Sequence, residues 1–189
     1  MPAYPRAELE EMVERWLAVN KAGEEKKDWQ HMAELYTEDA TYGWNVGAND
    51  EFMAVGREEI REIALGLEMA GLEGWTYPYQ KVLIDEQQGE FLGLWKQVAN
   101  AKKADGTNYE IAGLGGSWFR YAGNFQWSWQ RDFFDVGNAG AVFMAMIKDG
   151  TLLPGMQQRM ERAMSGERLP GHYRLGDAPV GLWEVPPGA

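Results

Sequence analysis

The sequence predicts an α+β fold in which N-terminal helices close one face of a curved antiparallel sheet, with extra C-terminal helices and a tail. Apolar residues recur at helical spacing through the first part of the chain, and from residue 76 their period changes to two. The later strands are separated by QQG, KKADGT and AGN, which are rich in hairpin-type turn residues. These observations indicate a cone-shaped domain whose helices and sheet enclose a cavity.

Three helices and one short strand are predicted in the first part of the chain. Residues 6 to 22, behind Pro5, carry apolar side chains at helical spacing. A second helix, DWQHMAELY, begins at the N-cap Asp28 and ends near Thr37. DATYGWNV is predicted to form a strand, NVGANDEF a turn or loop, and GREEIREIALGLEMAG the third helix.

The second part of the chain predicts a four-stranded meander followed by helices. The strands are YPYQKVLIDE, GEFLGLWKQVANA, NYEIAGLGGSWFRY and FQWSWQRDFFD. After Asp135, AGAVFMAMIKDG and GMQQRMERAMSG are predicted as helices, and a Pro- and Gly-rich tail follows. We therefore expect a cone domain over residues 1–150, and a helix with a tail over 151–189 that packs on the same domain or on a partner subunit.

Composition and charge exclude several classes of function. The chain has 189 residues, nine of them Trp, and is 45% hydrophobic, which predicts one globular domain with an apolar interior or pocket. A net charge of −11 disfavours binding to nucleic acid or anionic membranes. The chain has no Cys and two His, and no secretory signal is apparent, so we expect a cytoplasmic protein without a metal site or cofactor.

Three motifs, LYTEDATY, AVGREEI and QRDFFD, occur in this order among the predicted elements. In them the chain resembles the nuclear transport factor 2-like superfamily, and most of all its SnoaL-like and limonene-epoxide-hydrolase-like branch. The resemblance covers residues 6 to 140 and implies the cone-shaped, cystatin-like fold. Its most specific part is WSWQRDFFD, which is similar to a Trp-Arg-Asp-aromatic-Phe-Asp run on the last strand of the epoxide hydrolases.

The resemblance implies an active site on that last strand. Asp132 falls on the general-base aspartate of the family, and Tyr42 on a tyrosine that helps hold the attacking water. Trp44 occupies the position of an asparagine ligand, with Asn45 one place further along. The structural alternatives are a salt-bridged Asp132 near a strand end and a Tyr42 that belongs to the core.

The preceding strands depart from the family pattern. Alignment through GTNY places Lys96 at the family's arginine and Val98 at its second acid. No Asp or Glu occurs between Phe91 and Asp105, and Asn100 is the nearest polar substitute. Half of the acid and base pair that epoxide opening needs is therefore missing. Lys96 remains the candidate cation beside Asp132.

Strict alternation along the last strand would give its two faces different roles. Gln130, Asp132 and Phe134 share the face that the resemblance turns toward the cavity, and His31 is predicted near its mouth.

The opposite face of that strand carries large aromatic side chains. Such a face predicts a homodimer built partly on Trp127, Trp129 and Phe133.

The expected function is general acid and base chemistry, without a cofactor, on an apolar small molecule of terpenoid, steroid or polyketide-like type. Asp132 would act as the base, Tyr42 as a hydrogen-bond donor to a developing oxyanion, and Lys96 as electrostatic support. An isomerase, cyclase, dehydratase or hydrolase fits this site. The alternatives are a non-catalytic small-ligand binding protein and an assembly module of the same fold.

Overall fold

The computed structural model describes residues 3–184. The helices are α1 (Arg6–Lys26), a 3₁₀ helix (Gln30–Leu35), the short α2 (Arg57–Glu59), which continues as a π helix (Ile60–Leu67), α3 (Val136–Lys148) and α4 (Pro154–Met164). The strands are β1 (Tyr36–Asn45), β2 (Asp50–Val55), β3 (Trp75–Thr76), β4 (Tyr79–Asp85), β5 (Glu90–Lys102), β6 (Asn108–Tyr121), β7 (Trp127–Phe133) and β8 (His172–Arg174).

All eight strands belong to one mixed sheet. Its order is β3-β5-β6-β7-β1-β2-β8, and β4 also pairs with β5. β1 and β7 are parallel, whereas the other pairs are antiparallel. The predicted α+β class and the meander, which corresponds to β4 to β7, are confirmed.

Three local predictions differ from the structure. The second helix is a short 3₁₀ helix that ends at Leu35. Part of the predicted loop NVGANDEF forms β2, because its apolar residues pair with β1 and are buried. The tail contributes β8, which pairs with β2 through His172 and Phe52. β2 forms a hairpin with the neighbouring β1, whereas β8 depends on β2, which is distant in sequence.

Helix α1 packs across the sheet and forms the main core. Its Leu9 and Met12 are fully buried, and the Trp16 ring contacts Phe119 edge to face at 4.9 Å between ring centroids. Burial of one large apolar side chain contributes roughly 1.5 to 3 kcal/mol. This layer holds the helix over one end of the cone.

A second core cluster lies at the other end of the fold. It joins Trp75 and Ile111 of the sheet to Met146 of α3 and Met156 of α4. The chain beyond residue 150 thus contacts the body of the same molecule through α4 and β8. A division of the chain into parts at residue 150 stays a prediction.

The alternation predicted along β7 is broken by a β-bulge. The β6 neighbours Arg120 and Tyr121 pair with Trp129 and Trp127, so Ser128 is the extra residue on β7. Trp127 consequently joins the main core instead of the outer face.

The outer face of β7 is also covered by the C-terminal segment, residues 181–184. The indole Nε1 of Trp129 donates to the Glu184 carbonyl at 3.0 Å, and Nε of Arg131 donates to the Leu182 carbonyl at 2.7 Å. The predicted dimer surface is therefore wrong for Trp127 and Trp129, which are both 1% exposed. Phe133 remains exposed, and a homodimer stays a prediction.

Candidate functional site

A cavity of about 160 Å³ opens between the sheet and the helices. Most of its wall is aromatic or aliphatic, with contributions from α1, the π helix, α3, α4 and the strands β1, β5, β6 and β7. Gly115 on β6 leaves room for the Trp95 ring, which a Cβ at that position would overlap. The cavity is therefore an apolar site with few polar side chains, as small-molecule pockets usually are.

The carboxyl group of Asp132 lies in the cavity wall and accepts two hydrogen bonds. The hydroxyl of Tyr42 donates to Oδ2 at 2.6 Å, and Nε2 of Gln130 donates to Oδ1 at 2.8 Å. Register explains this grouping, because Tyr42 pairs with Gln130 and Trp44 with Asp132 across the β1 and β7 ladder. Tyr42 and Gln130 thus lie side by side on the cavity face, one pleat from Asp132.

Tyr36 holds Gln130 in the orientation that serves Asp132. Its hydroxyl donates to Oε1 of Gln130, which leaves the amide nitrogen to face the carboxylate. Tyr36 is fully buried at the start of β1. Sequence reasoning missed this residue, because Tyr36 and Gln130 are 94 positions apart and nothing local links them.

The surroundings of Asp132 make it a stronger base than an exposed carboxylate. Burial raises the pKa of Asp132, although hydrogen bonding from Gln130 and Tyr42 works in the opposite direction. Asp132 is partly buried and lines an apolar cavity, whose walls offer its charge few polar partners. Burial, and then the charge of Asp132, raise the pKa of Tyr42, which therefore stays protonated as a donor.

Two further predicted residues lie in the same cavity wall. Trp44 stacks on Phe52 with 3.8 Å between ring centroids and meets Tyr42 edge to face. Phe134 follows β7 and approaches Trp95. The structure therefore brings Trp44, Phe134 and Gln130 together with Tyr42 and Asp132.

The residues predicted on β5 lie on the opposite face of that strand. Trp95 and Gln97 face the cavity, so the alternating residues Lys96, Val98 and Asn100 face away from it. Lys96 forms an exposed ion pair with Glu110 at 3.1 Å. The placement of Lys96 beside Asp132 is wrong, as are cavity positions for Val98 and Asn100. The alternation of β5 side chains between the two sheet faces is shifted by one residue from the predicted one.

Asn45 and His31 also lie outside the cavity. Asn45 is exposed and borders a separate cleft beneath the C-terminal segment. His31 lies on the 3₁₀ helix, and its Nε2 is buried without a hydrogen-bond partner among residues 3–184. Neither residue has the predicted contact with a ligand in this cavity.

A second carboxylate, which sequence reasoning missed, lies in the cavity wall. Glu68 follows the π helix, and its carboxylate contacts Nη2 of Arg159 at 2.9 Å and Nε2 of His172 at 3.0 Å. The partners are 91 and 104 residues away in sequence, so no local motif signals the cluster. Since both neighbours donate to it, Glu68 is already engaged and is a poor candidate for the missing acid.

The arrangement can accept a proton from a bound molecule. A carboxylate has room for about four hydrogen bonds, so two fixed donors leave Asp132 lone pairs that can face a ligand. Within residues 3–184, no cluster of three or more His, Cys, Asp or Glu side chains is placed to hold a metal ion. In the same range, no helix is long and apolar enough to cross a membrane.

No family model and no curated protein matches the sequence. Solved structures match over most of their length. PrhC from Penicillium brasilianum NBRC 6234 aligns with a TM-score of 0.57 and 13% identity, over 81% of this chain and 96% of its own. A protein described as a SnoaL-like polyketide cyclase from Jannaschia sp. CCS1 aligns with a TM-score of 0.54 and 12% identity, over 72% of this chain and 91% of its own.

An NTF2-like protein from Anabaena variabilis ATCC 29413 aligns with a TM-score of 0.53 and 16% identity, over 71% of this chain and 95% of its own. The chain has the nuclear transport factor 2-like fold. Within that fold, the cavity between helices and sheet is where Asp132 and its donors lie. Because fold does not fix chemistry, the function rests on the site itself.

Proposed function

We propose that this nuclear transport factor 2-like chain is a SnoaL-like enzyme that performs general acid and base chemistry on an apolar small molecule. Asp132 is the general base, and its protonated form returns the proton. Tyr42 and Gln130 position the carboxylate, and the aromatic wall binds the substrate. The observation that carries the proposal is a partly buried carboxyl group, fixed by two donors, in the wall of an apolar cavity.

The proposed reaction begins with removal of a proton from carbon next to a carbonyl group. The C–H bond breaks, the proton moves to the Asp132 carboxylate, and the electron pair moves onto the carbonyl oxygen as an enolate. In a substrate with a β,γ double bond, the oxygen's electron pair re-forms the carbonyl, the double bond moves to the α,β position, and the γ-carbon takes the proton back from Asp132, which completes an isomerisation. A base whose pKa lies nearer neutrality is better suited to such a step, which is the direction in which burial moves Asp132.

The role expected for Tyr42 needs revision in this scheme. A phenol has one O–H donor, and the structure commits that donor to Asp132. Tyr42 therefore acts first as a positioning residue for the base, and a different group is needed to receive the enolate oxygen.

Cavity size narrows the substrate class. A cavity of about 150 Å³ in another protein holds one benzene molecule, and the volume here is about 160 Å³. Among the apolar substrates considered, a compound with one ring, of monocyclic terpenoid type, is therefore favoured over a four-ring steroid.

Hydrogen exchange at carbon tests the proposal directly. Monocyclic ketones such as cyclohexanone and menthone are incubated with the protein in D₂O, and loss of the α-proton signal is followed by NMR. Asp132→Asn should lower the catalysed rate by about 10²-fold or more, in the range typical of a lost general base. Asp135→Asn is the matched control, because exposed Asp135 only caps α3 and Asn also serves as an N-cap.

The alternative is a non-catalytic binding protein, which is favoured by the absence of a free second acid in the cavity wall described above. A carrier would bind these ketones with the same Kd before and after Asp132→Asn and would not accelerate their exchange. An assembly module with a vestigial cavity receives less support, because Trp95 lines an open cavity, whereas Trp118 and Trp183 pack on the other face of the sheet.

A further inference from the structure

Arg159 of α4 reaches the cavity wall with part of its guanidinium unused. Its Nη1 donates to the Glu68 carbonyl oxygen, and Nη2 donates to Oε2 of the same residue at 2.9 Å. A guanidinium has five N–H donors. Within residues 3–184 the other three have no hydrogen-bond partner, and a quarter of the side-chain surface is accessible.

The position of Arg159 is fixed before any ligand binds. The carbonyl oxygen and Oε2 of Glu68 accept hydrogen bonds from one edge of the guanidinium, and His172 contacts Oε1, the other carboxylate oxygen. Gly71 lies so close to Met156 that a Cβ there would overlap the backbone of α4. Binding at the free edge would therefore cost little side-chain ordering.

The chemistry of the cavity assigns this free edge to an oxygen with negative charge. Among the described residues that line the cavity, Arg159 is the only Arg or Lys. Guanidinium groups donate and never accept, and they form charge-assisted hydrogen bonds to anionic oxygens. Glu68 occupies one N–H on each of Nη1 and Nη2, so the remaining N–H groups can still donate to an oxygen of the ligand.

We infer that Arg159 receives an anionic oxygen of the bound molecule, so that the ligand is a one-ring apolar compound with a carboxylate or a carbonyl group. Two sources supply such an oxygen. A substrate carboxylate is anionic when it binds. A ketone oxygen becomes anionic only when Asp132 takes the α-proton and the electron pair moves onto oxygen, and this second source rests on the proposed function.

The first arm of the test measures ligand affinity without any turnover. Isothermal titration calorimetry compares 4-isopropylbenzoate with its neutral isostere 4-isopropylbenzamide. Arg159→Met keeps the apolar stem and removes the donors. If a substrate carboxylate supplies the anion, this variant should weaken the benzoate about tenfold or more and leave the amide nearly unchanged. Arg162→Met is the control on the same helix, because exposed Arg162 pairs with Glu167.

The second arm measures the ketone exchange rate in the same variants. If the enolate is the anion, Arg159→Met should lower kcat about tenfold or more with little change in KM, while benzoate affinity stays unchanged. Asp132→Asn separates the proposal for Asp132 as the base from the proposal for Arg159. This variant should lose proton exchange but keep the preference for benzoate over benzamide. Loss of neither property in Arg159→Met, or equal weakening of benzoate and benzamide, overturns the inference.

A double variant controls for loss of stability in Arg159→Met. Removal of Arg159 alone leaves the buried Glu68 with a single partner, and an unpaired buried carboxylate is costly. The double variant Glu68→Gln with Arg159→Met removes that charge as well. It should show the same selective loss as the single variant, and a double variant that retains the wild-type preference for benzoate contradicts the assignment.

Discussion

The hydroxyl of Tyr42 controls how tightly Asp132 holds its proton. It donates to Oδ2 over 2.6 Å and so stabilises the ionised carboxylate. A hydrogen bond to a charged group contributes about 1.5 to 3 kcal/mol, and one pKa unit corresponds to about 1.4 kcal/mol. Tyr42→Phe should therefore raise the pKa of Asp132 by about one to two units while keeping the ring that stacks beside Tyr36.

This pKa is measured by ¹³C NMR titration of protein labelled at the aspartate carboxyl carbons. The Asp132 signal is identified by its absence from the spectrum of Asp132→Asn. Tyr79→Phe is the matched control, because Tyr79 lines the same cavity but accepts its hydrogen bond from Trp16. An unchanged or lower pKa in Tyr42→Phe would refute the reasoning, as would an equal rise in Tyr79→Phe.

Three further predictions follow from the same contacts. Because burial raises the folded-state pKa of Asp132, the contribution of this residue to stability should fall as pH rises from near 3.8 through that pKa, and in urea unfolding the free energy of Asp132→Asn relative to wild type should increase across this window. Gly71→Ala should lower the melting temperature far more than Gly47→Ala, since both have positive φ but only Gly71 lies against α4; equal losses would contradict this. Deletion of residues 181–189 should expose Trp129 and raise the molar mass measured by light scattering toward that of a dimer. An unchanged molar mass would show that this face does not self-associate.

Much of the fold could be predicted because the relevant signals are local. The change from helical spacing to a period of two marks where the helices give way to the meander, and the turn residues mark its hairpins. The strand β8 was not predicted because its partner β2 lies about 120 residues away in sequence. The strand β2 pairs with its neighbour β1 across a short turn, and it was missed because the Gly- and Asn-rich stretch before it was interpreted as a longer loop.

The candidate site was predictable where a motif placed residues on one strand face. Gln130 and Asp132 share a face as alternation requires, whereas the bulge at Ser128 moves Trp127 to the core. No feature of the sequence reveals that bulge.

Positions on β5 depended on a register that the sequence does not determine. A shift of one residue moves every side chain of a strand to the other face, and this is why Lys96 lies outside while Gln97 lies inside. The cluster of Glu68, Arg159 and His172 was beyond prediction for a related reason, since three distant segments assemble it.

The most direct test of Asp132 as a general base uses 5-nitrobenzisoxazole as a probe. A base removes the proton at its C3, the N–O bond breaks, and a coloured cyanonitrophenolate forms in one step. Wild-type protein should accelerate this reaction, and Asp132→Asn should lower kcat/KM by about 10²-fold or more while Asp135→Asn does not. Equal rates for wild type and Asp132→Asn, with both folded, would contradict the assignment of Asp132 as the base.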